Sequence, residues 1–445
     1  MPHGKARPRL ALAVALACAY ASGLAGVAAA REVPLAAGEP LPALAPGDVL
    51  ALAPGVHPGP WTIDVADVTV RAAGAVLDGG GQGTVLTLRA PGIRVEDLTV
   101  TGVGGEADLY APDAAVAAFG CDGCVIERLV LRSGTSAVRV EGSRDVRLVD
   151  LQASGVGRGP GVTAFETPGL VVQGGRFEGF LDGLYLERAD GARVEGAVVE
   201  RSVRYGLHVM FTVGVALVGN EVRDGGVGSA VMYGRDALVQ GNRLAGHRGP
   251  MAFGLLVQEE VGTRVIDNDV RGNAVGLLIV AAPGLRVEGG VLAGNGVGAL
   301  LQRPPVAGLD GSTVQVAGVA FEGNAADLAV ADPDAALTLR GNAYDRAPRL
   351  DLDGDGVVDV PFVATSAFAA RTAEQPDLAL LAHGPGIALW GRLEAQVPGV
   401  RATTFADPAS RLAPPAPRAP GAGLAAAGLA VALLAVGALG ARGWA

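Results

Sequence analysis

Lysine, cysteine, methionine, histidine and aromatic residues are all scarce in this chain of 445 residues. No lysine follows Lys5 and the formal net charge is −10, so the chain lacks the basic footprint that nucleic-acid binding requires. An acidic protein is compatible with cation binding, although net charge by itself does not identify a cation site.

Only three cysteines occur, and one of them, Cys18, lies in the apolar N-terminal stretch. The other two, Cys121 and Cys124, form a C-x-x-C motif with no second cysteine pair to complete a metal site. We therefore predict a local disulfide in an oxidising compartment, with a redox or copper role as the alternative.

The first thirty residues have the features of an export signal. Lys5, Arg7 and Arg9 precede an apolar stretch that ends in small residues near Ala30. We predict a signal peptide over residues 1–30, with a retained signal anchor as the alternative.

A second apolar stretch lies near the other end of the sequence. Residues 421–441 are 21 uncharged residues, about the length of a bilayer-spanning helix, and they follow a proline-rich linker at residues 411–420. The sequence therefore predicts an exported protein that a C-terminal transmembrane helix anchors to the membrane. A processed sorting tail is the alternative.

Glycine, with 68 residues, is abundant and recurs at a regular interval. The spacings are 22, 26, 22 and 22 residues between Gly206, Gly228, Gly254, Gly276 and Gly298. Short β-prone segments lie between these glycines, and Gly-Asn pairs, which tolerate positive φ, separate the segments. A period near 22 residues is typical of coils in a parallel β-helix, whereas a β-propeller needs about 40 residues per unit.

We predict an all-β fold, a right-handed parallel β-helix over residues 36–345 with roughly twelve coils. Residues Asn220, Asn242 and Asn268 each follow a repeat glycine at the same distance, and we expect them to stack between coils and extend the backbone hydrogen bonding.

Two shorter regions are expected after the β-helix. They are an Asp-rich loop at residues 346–363 and a helical docking segment at residues 364–410.

Methionine and histidine cluster in one part of the predicted β-helix. All three methionines after the first residue, and two of the five histidines, fall within about two coils. Because alternate residues of a strand face opposite sides, His208 and Met210 share one face, and Met232 continues that column in the next coil. The same column carries Glu187 and Gln258, so we predict that it faces solvent.

These residues predict a copper site. Equivalent positions on neighbouring coils are about 4.8 Å apart, so the thioethers of Met210 and Met232 and the imidazole of His208 can converge on one ion. Soft thioether sulfur combined with imidazole selects Cu(I). Met251 and His247 lie near the irregular 26-residue coil and are further candidate ligands, provided that its turn brings them close.

Two alternatives to a metal site stay open. Methionine most often fills gaps in a core, and a single histidine is usually structural. Leu256, Leu278 and Leu300 extend the same face, so the face is alternatively a protein contact surface.

Parallel β-helices also include polysaccharide lyases and epimerases, which need acid and base groups on one face. The candidates for such a set are Asp182, Glu187, Arg201, Arg204, Tyr205 and His208. No acid–base pair recurs in register among them. We therefore predict no catalytic residue, with a carbohydrate-active lyase or epimerase as the alternative function.

The stretch DLDGDGVVD has the spacing of a calcium-binding loop. Asp351, Asp353 and Asp355 occupy positions 1, 3 and 5, with Gly356 at position 6 and Asp359 at position 9. Position 12 is a phenylalanine, so the bidentate glutamate of an EF-hand is missing. The loop is predicted either to bind Ca²⁺ weakly or to be a plain acidic turn.

The chain resembles the NosD family of periplasmic β-helix proteins. The resemblance rests on segments that occur in order: ALAPGVHPGPWTID (51–64), AVLDGGGQGTVLTL (75–88), LDGLYLE (181–187), RYGLHVMF (204–211), SAVMYGRDALVQGN (229–242), FGLLVQE (253–259) and DLDGDGVVDVPF (351–362). It spans roughly residues 40–412. The most specific parts are RYGLHVM and the Asp-rich loop.

Membership of this family implies a non-catalytic role in the maturation of nitrous-oxide reductase. By resemblance, the protein works with an ABC permease and ATPase to supply copper, or sulfur, to the reductase metal centre. A scaffold that holds the reductase near the permease without binding metal is the alternative. A copper chaperone lipoprotein is the implied source of the ion. The helices expected within residues 366–398 are then predicted to leave the solenoid and dock on the permease, with Trp390 as an anchor.

Overall fold

A computed structural model describes residues 30–249, 252–303, 313–331, 336–382, 384–396 and 403–413. The predicted membrane helix over residues 421–441, and all but the last residue of the predicted signal peptide, lie outside these ranges. Within the described residues, no helix is both long enough and apolar enough to cross a membrane.

The described strands wind into a parallel β-solenoid with three faces. Each coil contributes one strand to each of three sheets, and every strand pairs in parallel with its equivalents in the neighbouring coils. Along the chain, a strand of sheet 3 is followed by one of sheet 1 and then one of sheet 2, with the strands of each sheet given below. The prediction of a parallel β-helix with about twelve coils is confirmed.

The strand bounds follow the coil period from one end of the solenoid to the other. Sheet 1 contains Glu32–Leu35, Val49–Leu52, Thr69–Arg71, Arg94–Glu96, Val125–Glu127, Arg147–Val149, Val171–Gln173, Arg193–Glu195, Ala216–Val218, Leu238–Gln240, Arg264–Ile266, Arg286–Glu288, Val314–Ala317 and Leu337–Arg340. Sheet 2 contains Gly55–Pro58, Ala75–Asp78, Thr99–Thr101, Val130–Arg132, Gln152–Ser154, Arg176–Glu178, Val198–Glu200, Glu221–Arg223, Arg243–Ala245, Asp269–Arg271, Val291–Ala293, Ala320–Glu322 and Ala343–Tyr344. Sheet 3 contains Trp61–Ile63, Leu86–Leu88, Ala114–Phe119, Ser136–Glu141, Val162–Phe165, Leu184–Glu187, Tyr205–Met210, Val227–Met232, Phe253–Gln258, Val275–Val280, Val297–Gln302 and Ala326–Val330.

The core fills the interior of the solenoid with stacked columns of aliphatic side chains. One column runs through Val209, Val231, Val257, Ile279 and Leu301, which pair in register and are all buried. β-Branched and leucine side chains suit this position because they pack against other aliphatic side chains about 4.8 Å above and below.

The repeat glycines lie where the backbone of one coil comes closest to its neighbours. A Cβ atom on Gly206 would lie 2.1 Å from Cγ1 of Val222 and 2.6 Å from the carbonyl oxygen of Gly228. No larger residue fits there without moving the backbone, which explains why the glycine recurs once per coil.

The predicted asparagine stacking is confirmed at one corner of the solenoid. The side-chain oxygen of Asn242 accepts hydrogen bonds from the backbone and side-chain nitrogens of Asn220, both at 2.9 Å. Asn268 accepts from Asn242 in the same way, again at 2.9 Å. Each amide therefore continues the coil-to-coil hydrogen bonding through a turn, where the strands leave backbone groups unpaired.

The predicted local disulfide is also confirmed. Cys121 and Cys124 are bonded to each other, and both are fully buried at the corner between sheets 3 and 1. The bridge lies inside the apolar core and is remote from solvent.

The region after the solenoid combines a hairpin with short helices. Strands Phe362–Thr365 and Thr403–Asp407 pair antiparallel and bracket helix α1 (Ala367–Glu374), a 3₁₀ helix (Pro376–Leu381) and helix α2 (Pro385–Gln396). The hairpin was not predicted from the sequence, because its strands are separated by more than thirty residues and no repeat links them.

The prediction that this helical segment leaves the solenoid is wrong for α1. Its Phe368 belongs to one buried apolar cluster with Leu300 and Ala329 on the outer face of sheet 3. Nε2 of Gln302 also donates a 3.1 Å hydrogen bond to the carbonyl oxygen of Ala373. The helix folds back because an outer face of aliphatic side chains gains free energy when it is covered.

One buried carboxyl makes the stability of the solenoid depend on pH. Glu260 is only 1% exposed, and its Oε2 accepts a 2.6 Å hydrogen bond from the backbone nitrogen of Gly234. Burial raises the pKa of Glu260 to about 7, so the neutral acid is the form that the fold prefers.

We expect the free energy of unfolding to fall as the pH rises from about 4.5 to 7, because the unfolded chain loses this proton first. The free energy of unfolding should fall by on the order of 3 kcal/mol over this range. Glu260→Gln is neutral throughout and should remove that component, measured as the difference between wild type and variant in urea unfolding at pH 4.5, 6 and 8. Glu259→Gln, at the exposed neighbouring position, is the control. A difference that stays constant across this pH range would contradict the assignment.

Candidate metal site

The strand Tyr205–Met210 divides its side chains between the core and the outer face of sheet 3. Leu207 and Val209 belong to the interior core. Met210 packs against the separate apolar cluster outside the sheet, and Met232 is a member of that cluster. The alternation predicted from the sequence therefore places His208 and both methionines on the outer face.

Strand register brings the two methionines together. Met210 pairs directly with Met232 in the next coil, and parallel strands are about 4.8 Å apart. His208 precedes Met210 by two residues on the same side of the same strand. One imidazole and two thioethers thus occupy adjacent positions on one surface.

The prediction that this column faces solvent is wrong. His208, Met210 and Met232 point away from the core but are shielded from solvent. His208 is 4% exposed, Met232 is 8% exposed and Met210 is half-buried. The ring of His208 lies between those of Tyr185, at 4.8 Å between centroids, and Tyr205, at 4.3 Å. One aromatic neighbour on the preceding coil and one on the same strand therefore shield the imidazole from water.

A buried carboxylate orients the imidazole. Nδ1 of His208 lies 2.9 Å from Oδ2 of Asp182, which is fully buried. Nε of Arg204 donates to Oδ1 of Asp182 at 2.8 Å, and the backbone nitrogen of Tyr205 donates to the same oxygen at 3.2 Å. Burial alone would raise the pKa of Asp182, but the hydrogen bonds from Arg204 and His208 outweigh it and lower that pKa. Asp182 is therefore an ionised acceptor.

The other ring nitrogen of His208 is left without a partner. With Nδ1–H donating to Asp182, Nε2 is the ring nitrogen that the carboxylate leaves available. This atom is buried and accepts no hydrogen bond from any described residue. A histidine whose second nitrogen is fixed by a carboxylate is the usual arrangement of a metal ligand.

Two other buried histidines share part of this pattern but differ in position. His57 and His247 each have one unpartnered ring nitrogen. His57 pairs in register with the core residue Leu77, so its ring lies inside the solenoid. The combination of an orphaned nitrogen with two neighbouring thioethers therefore distinguishes His208.

The structure does not bring His247 to the outer face. Its backbone nitrogen and its Nδ1 both donate to the side-chain oxygen of Asn273, at 3.1 and 2.8 Å, so it begins a second ladder that continues through Asn295 and Asn324. Burial lowers the pKa of His247. The prediction that it joins His208 is wrong, because the turn directs its ring towards Gly228 at a corner of the solenoid. Met251 lies outside the described residues.

Tyr185 connects a second carboxylate to the thioethers. Its hydroxyl donates to Oε2 of Glu187 at 2.7 Å and lies 3.6 Å from Sδ of Met210. Burial, followed by the hydrogen bond to Glu187, raises the pKa of Tyr185, so the phenol is a neutral donor. Glu187 is in turn bound by Arg188 at 2.7 Å.

Sequence reasoning missed Tyr185 and the orienting role of Asp182. A signal for Asp182 was present, because it immediately precedes a repeat glycine. The residues at the same position in the five following coils are apolar or aromatic, namely Tyr205, Val227, Phe253, Val275 and Val297. A carboxylate in such a column requires a buried cationic or hydrogen-bonding partner.

The proposed acid–base set assembles only in part. Asp182, Arg204, Tyr205 and His208 are brought together as described. Arg201 instead forms an ion pair with Glu178 on sheet 2. Among the described residues of the set, Asp182 and His208 are thus the carboxylate and imidazole that lie within hydrogen-bond distance of each other.

The Asp-rich loop brings three carboxylates together. Ligand atoms of Asp351, Asp353 and Asp355 lie within 4.8 Å of one another. All three side chains already accept backbone hydrogen bonds within the loop, at 2.7 to 3.2 Å, and Asp359 accepts from the nitrogen of Leu352. These contacts describe a stable acidic turn, and Ca²⁺ binding there stays a prediction.

The family comparison matches the central coils. Residues 136–304 match the family model NosD, described as "Periplasmic copper-binding protein (NosD)". A protein of Pseudomonas aeruginosa (strain PAO1), named "Probable ABC transporter binding protein NosD", is 34% identical over 175 residues. The aligned part is 36% of this chain and 38% of that protein, so it spans well under half of the relative's length.

Solved structures share the architecture at low identity. The catalytic unit of the GH87 α-1,3-glucanase from Streptomyces thermodiastaticus matches 68% of this chain and 64% of its own, with a TM-score of 0.53 and 15% identity. The A-module of the mannuronan C-5 epimerase AlgE4 from Azotobacter vinelandii covers 66% of this chain and 86% of its own, with a TM-score of 0.49 and 16% identity. The likeness to the glucanase shows the solenoid fold alone.

The candidate metal site lies inside the region that carries the family match, since His208, Met210 and Met232 all fall within residues 136–304. The family model and the named relative agree in pointing to NosD, so this chain is similar to the NosD family over these central coils.

Proposed function

We propose that this protein is a non-catalytic, exported maturation factor that holds one Cu(I) as cargo at His208, Met210 and Met232. The observation that carries the proposal is the imidazole of His208, whose Nδ1 is fixed by Asp182 and whose buried Nε2 has no described partner. The paired methionines lie beside it.

The donor set fits a cuprous ion better than other biological metals. Thioether sulfur is soft and neutral, and with an imidazole nitrogen it favours Cu(I), whereas Zn²⁺ and Ca²⁺ prefer thiolate, carboxylate or carbonyl ligands. The carboxylate of Asp182 raises the basicity of the ring without occupying the metal-facing nitrogen. Burial of His208 and Met232 limits access of competing water.

The proposed partners are an ABC permease with its ATPase, a copper chaperone lipoprotein and nitrous-oxide reductase. The description of the family as periplasmic and copper-binding supports the location and the cargo. The name of the Pseudomonas relative supports the transporter contact. Copper delivered from this site would enter the metal centre of the reductase, and sulfur is the alternative cargo.

A second function is worth testing because Asp182 and His208 form a close carboxylate–imidazole pair, 2.9 Å apart. On an outer face of a β-solenoid, such a pair is able to move a proton in a lyase or epimerase. Screening uronate polymers for unsaturated or epimerised products tests this alternative. We expect neither product, because the pair is covered by two tyrosine rings.

The copper site predicts a defined response to substitution. Titration of the protein with Cu(I) against a competing chelator should show one tight site, and the triple change of His208, Met210 and Met232 to Ala should abolish it. Copper affinity should fall by at least about 100-fold, since all soft donors are removed. Unchanged stoichiometry would refute these ligands, and absence of binding by the wild type would favour a metal-free scaffold.

His247→Asn is the matched control for this titration. Asparagine at this position can make the same hydrogen bond to Asn273 and so keep the first step of the second ladder. The fold is therefore expected to be retained. Copper binding should be unchanged, because His247 does not reach the outer face.

The carboxylate–imidazole contact predicts the tautomer of His208 in the metal-free protein. At a pH where the ring is neutral, ¹⁵N NMR should show the proton on Nδ1, with His208→Gln identifying the signal. Asp182→Ala should release the ring into a mixture of tautomers and weaken Cu(I) binding by about 10- to 100-fold. Asp182→Asn, which still offers an oxygen acceptor, should largely keep the tautomer. Protonation at Nε2 in the wild type would contradict the proposed metal-facing nitrogen.

A further inference from the structure

The helical segment after the solenoid exposes a cluster of large apolar side chains. The exposed residues are Leu380 and Leu381 on the 3₁₀ helix and Leu389, Trp390 and Leu393 on α2. Leu389 and Leu393 are four residues apart, and Trp390 and Leu393 are three residues apart, so the three residues share one side of α2. On another side of α2, Ile387 packs against the apolar cluster that covers sheet 3.

Trp390 is much more exposed than Trp61, the other tryptophan among the described residues. Aromatic residues form only 4% of the sequence, and Trp390 is 48% exposed, whereas Trp61 in the first coils is 5% exposed. The indole Nε1 of Trp390 donates to Glu394 on the same helix, which holds the ring at the surface. We name the side chains of Leu389, Trp390 and Leu393 the α2 face.

The α2 face lies at the end of the solenoid where the described chain finishes. Gly391 and Glu394 of α2 line a cleft together with Asp327 of the last strand of sheet 3 and Phe362 of the hairpin. Arg411 forms bridges with Ala343 and Val357, so the chain also leaves from the last coil. The α2 face and the start of the linker therefore belong to the same end.

The length of the linker limits how far this end can stand from the apolar stretch at residues 421–441. Residues 414–420 span at most about 25 Å when fully extended. If residues 421–441 enter a bilayer, as their composition predicts, the last coil and α2 must lie close to the membrane surface.

The composition of the α2 face fits the boundary between lipid headgroups and acyl chains. Leucine side chains gain free energy by leaving water there, and tryptophan prefers this zone because its ring is apolar and its N–H is polar. Arg392, which is exposed on the same helix, is suited to anionic headgroups.

We propose that the α2 face rests on the phospholipid bilayer surface and holds the solenoid with its C-terminal end towards the membrane. The candidate copper site lies four to five strands back along sheet 3, about 19 to 24 Å from the last strand. The contact would thus set the distance between the candidate copper site and the membrane surface. This inference rests on the sequence of residues 421–441 and on α2, and it does not depend on copper binding.

The test uses the full-length chain in lipid nanodiscs with Trp444→Phe, so that Trp61 and Trp390 are the remaining tryptophans. Lipids brominated in the upper acyl chain should quench the emission of Trp390 at least about two-fold, while aqueous acrylamide should quench it weakly. Adding Trp390→Phe should remove the lipid-dependent quenching, because Trp61 is buried in the solenoid.

A pair of substitutions separates this contact from a change in fold. Leu389→Ser with Leu393→Ser should abolish quenching by lipid and leave thermal unfolding unchanged, since both side chains are exposed. Leu352→Ser, at a 78% exposed position in the Asp-rich loop, is the matched control and should have no effect.

Three results would overturn the proposal. The first is ready quenching of Trp390 by acrylamide in nanodiscs without quenching by lipid. The second is protection of Trp390 that appears only when the permease is added, which would assign the α2 face to a protein partner. The third is failure of the full-length chain to remain with the nanodiscs.

Discussion

The parallel hydrogen bonding between successive coils is the constraint on which the other features depend. Each strand pairs with its equivalent in the next coil without a shift, so every side chain belongs to a column. The register that stacks Val209 on Val231 in the core also sets Met210 beside Met232 outside it. A slip of one residue would move both columns to the opposite face. The core and the candidate site are thus consequences of one register.

The contact between Asp182 and His208 gives one buried imidazole its distinctive chemistry. An ionised carboxylate in an otherwise apolar column is costly unless it is paired, and Arg204 and His208 supply that pairing. Because Nδ1 of His208 contacts Asp182, Nε2 has no hydrogen-bond partner among the described residues and is free to bind a metal ion. Most buried polar atoms in proteins find a partner, so an unshared one beside two thioethers points to a ligand.

The outer face of sheet 3 connects the candidate site with the C-terminal helices. Its aliphatic column continues from Ala230 through Leu256, Leu278 and Leu300 to Ala329, where α1 packs against it. The leucines that the sequence left open as a protein contact are covered within the chain itself. The solenoid therefore carries the candidate metal site in its middle and the exposed α2 face at its end.

The sequence by itself determined the coil period, the division between core and outer face, the pairing of the two methionines and the local disulfide. Each of these follows from spacing within one coil or between neighbouring coils, where the backbone repeat leaves a single arrangement. Only the tertiary structure decided the burial of His208, its pairing with Asp182, the place of His247 in an asparagine ladder and the folding back of α1. These depend on how side chains turn at corners and on contacts between distant segments, and periodic spacing does not constrain either.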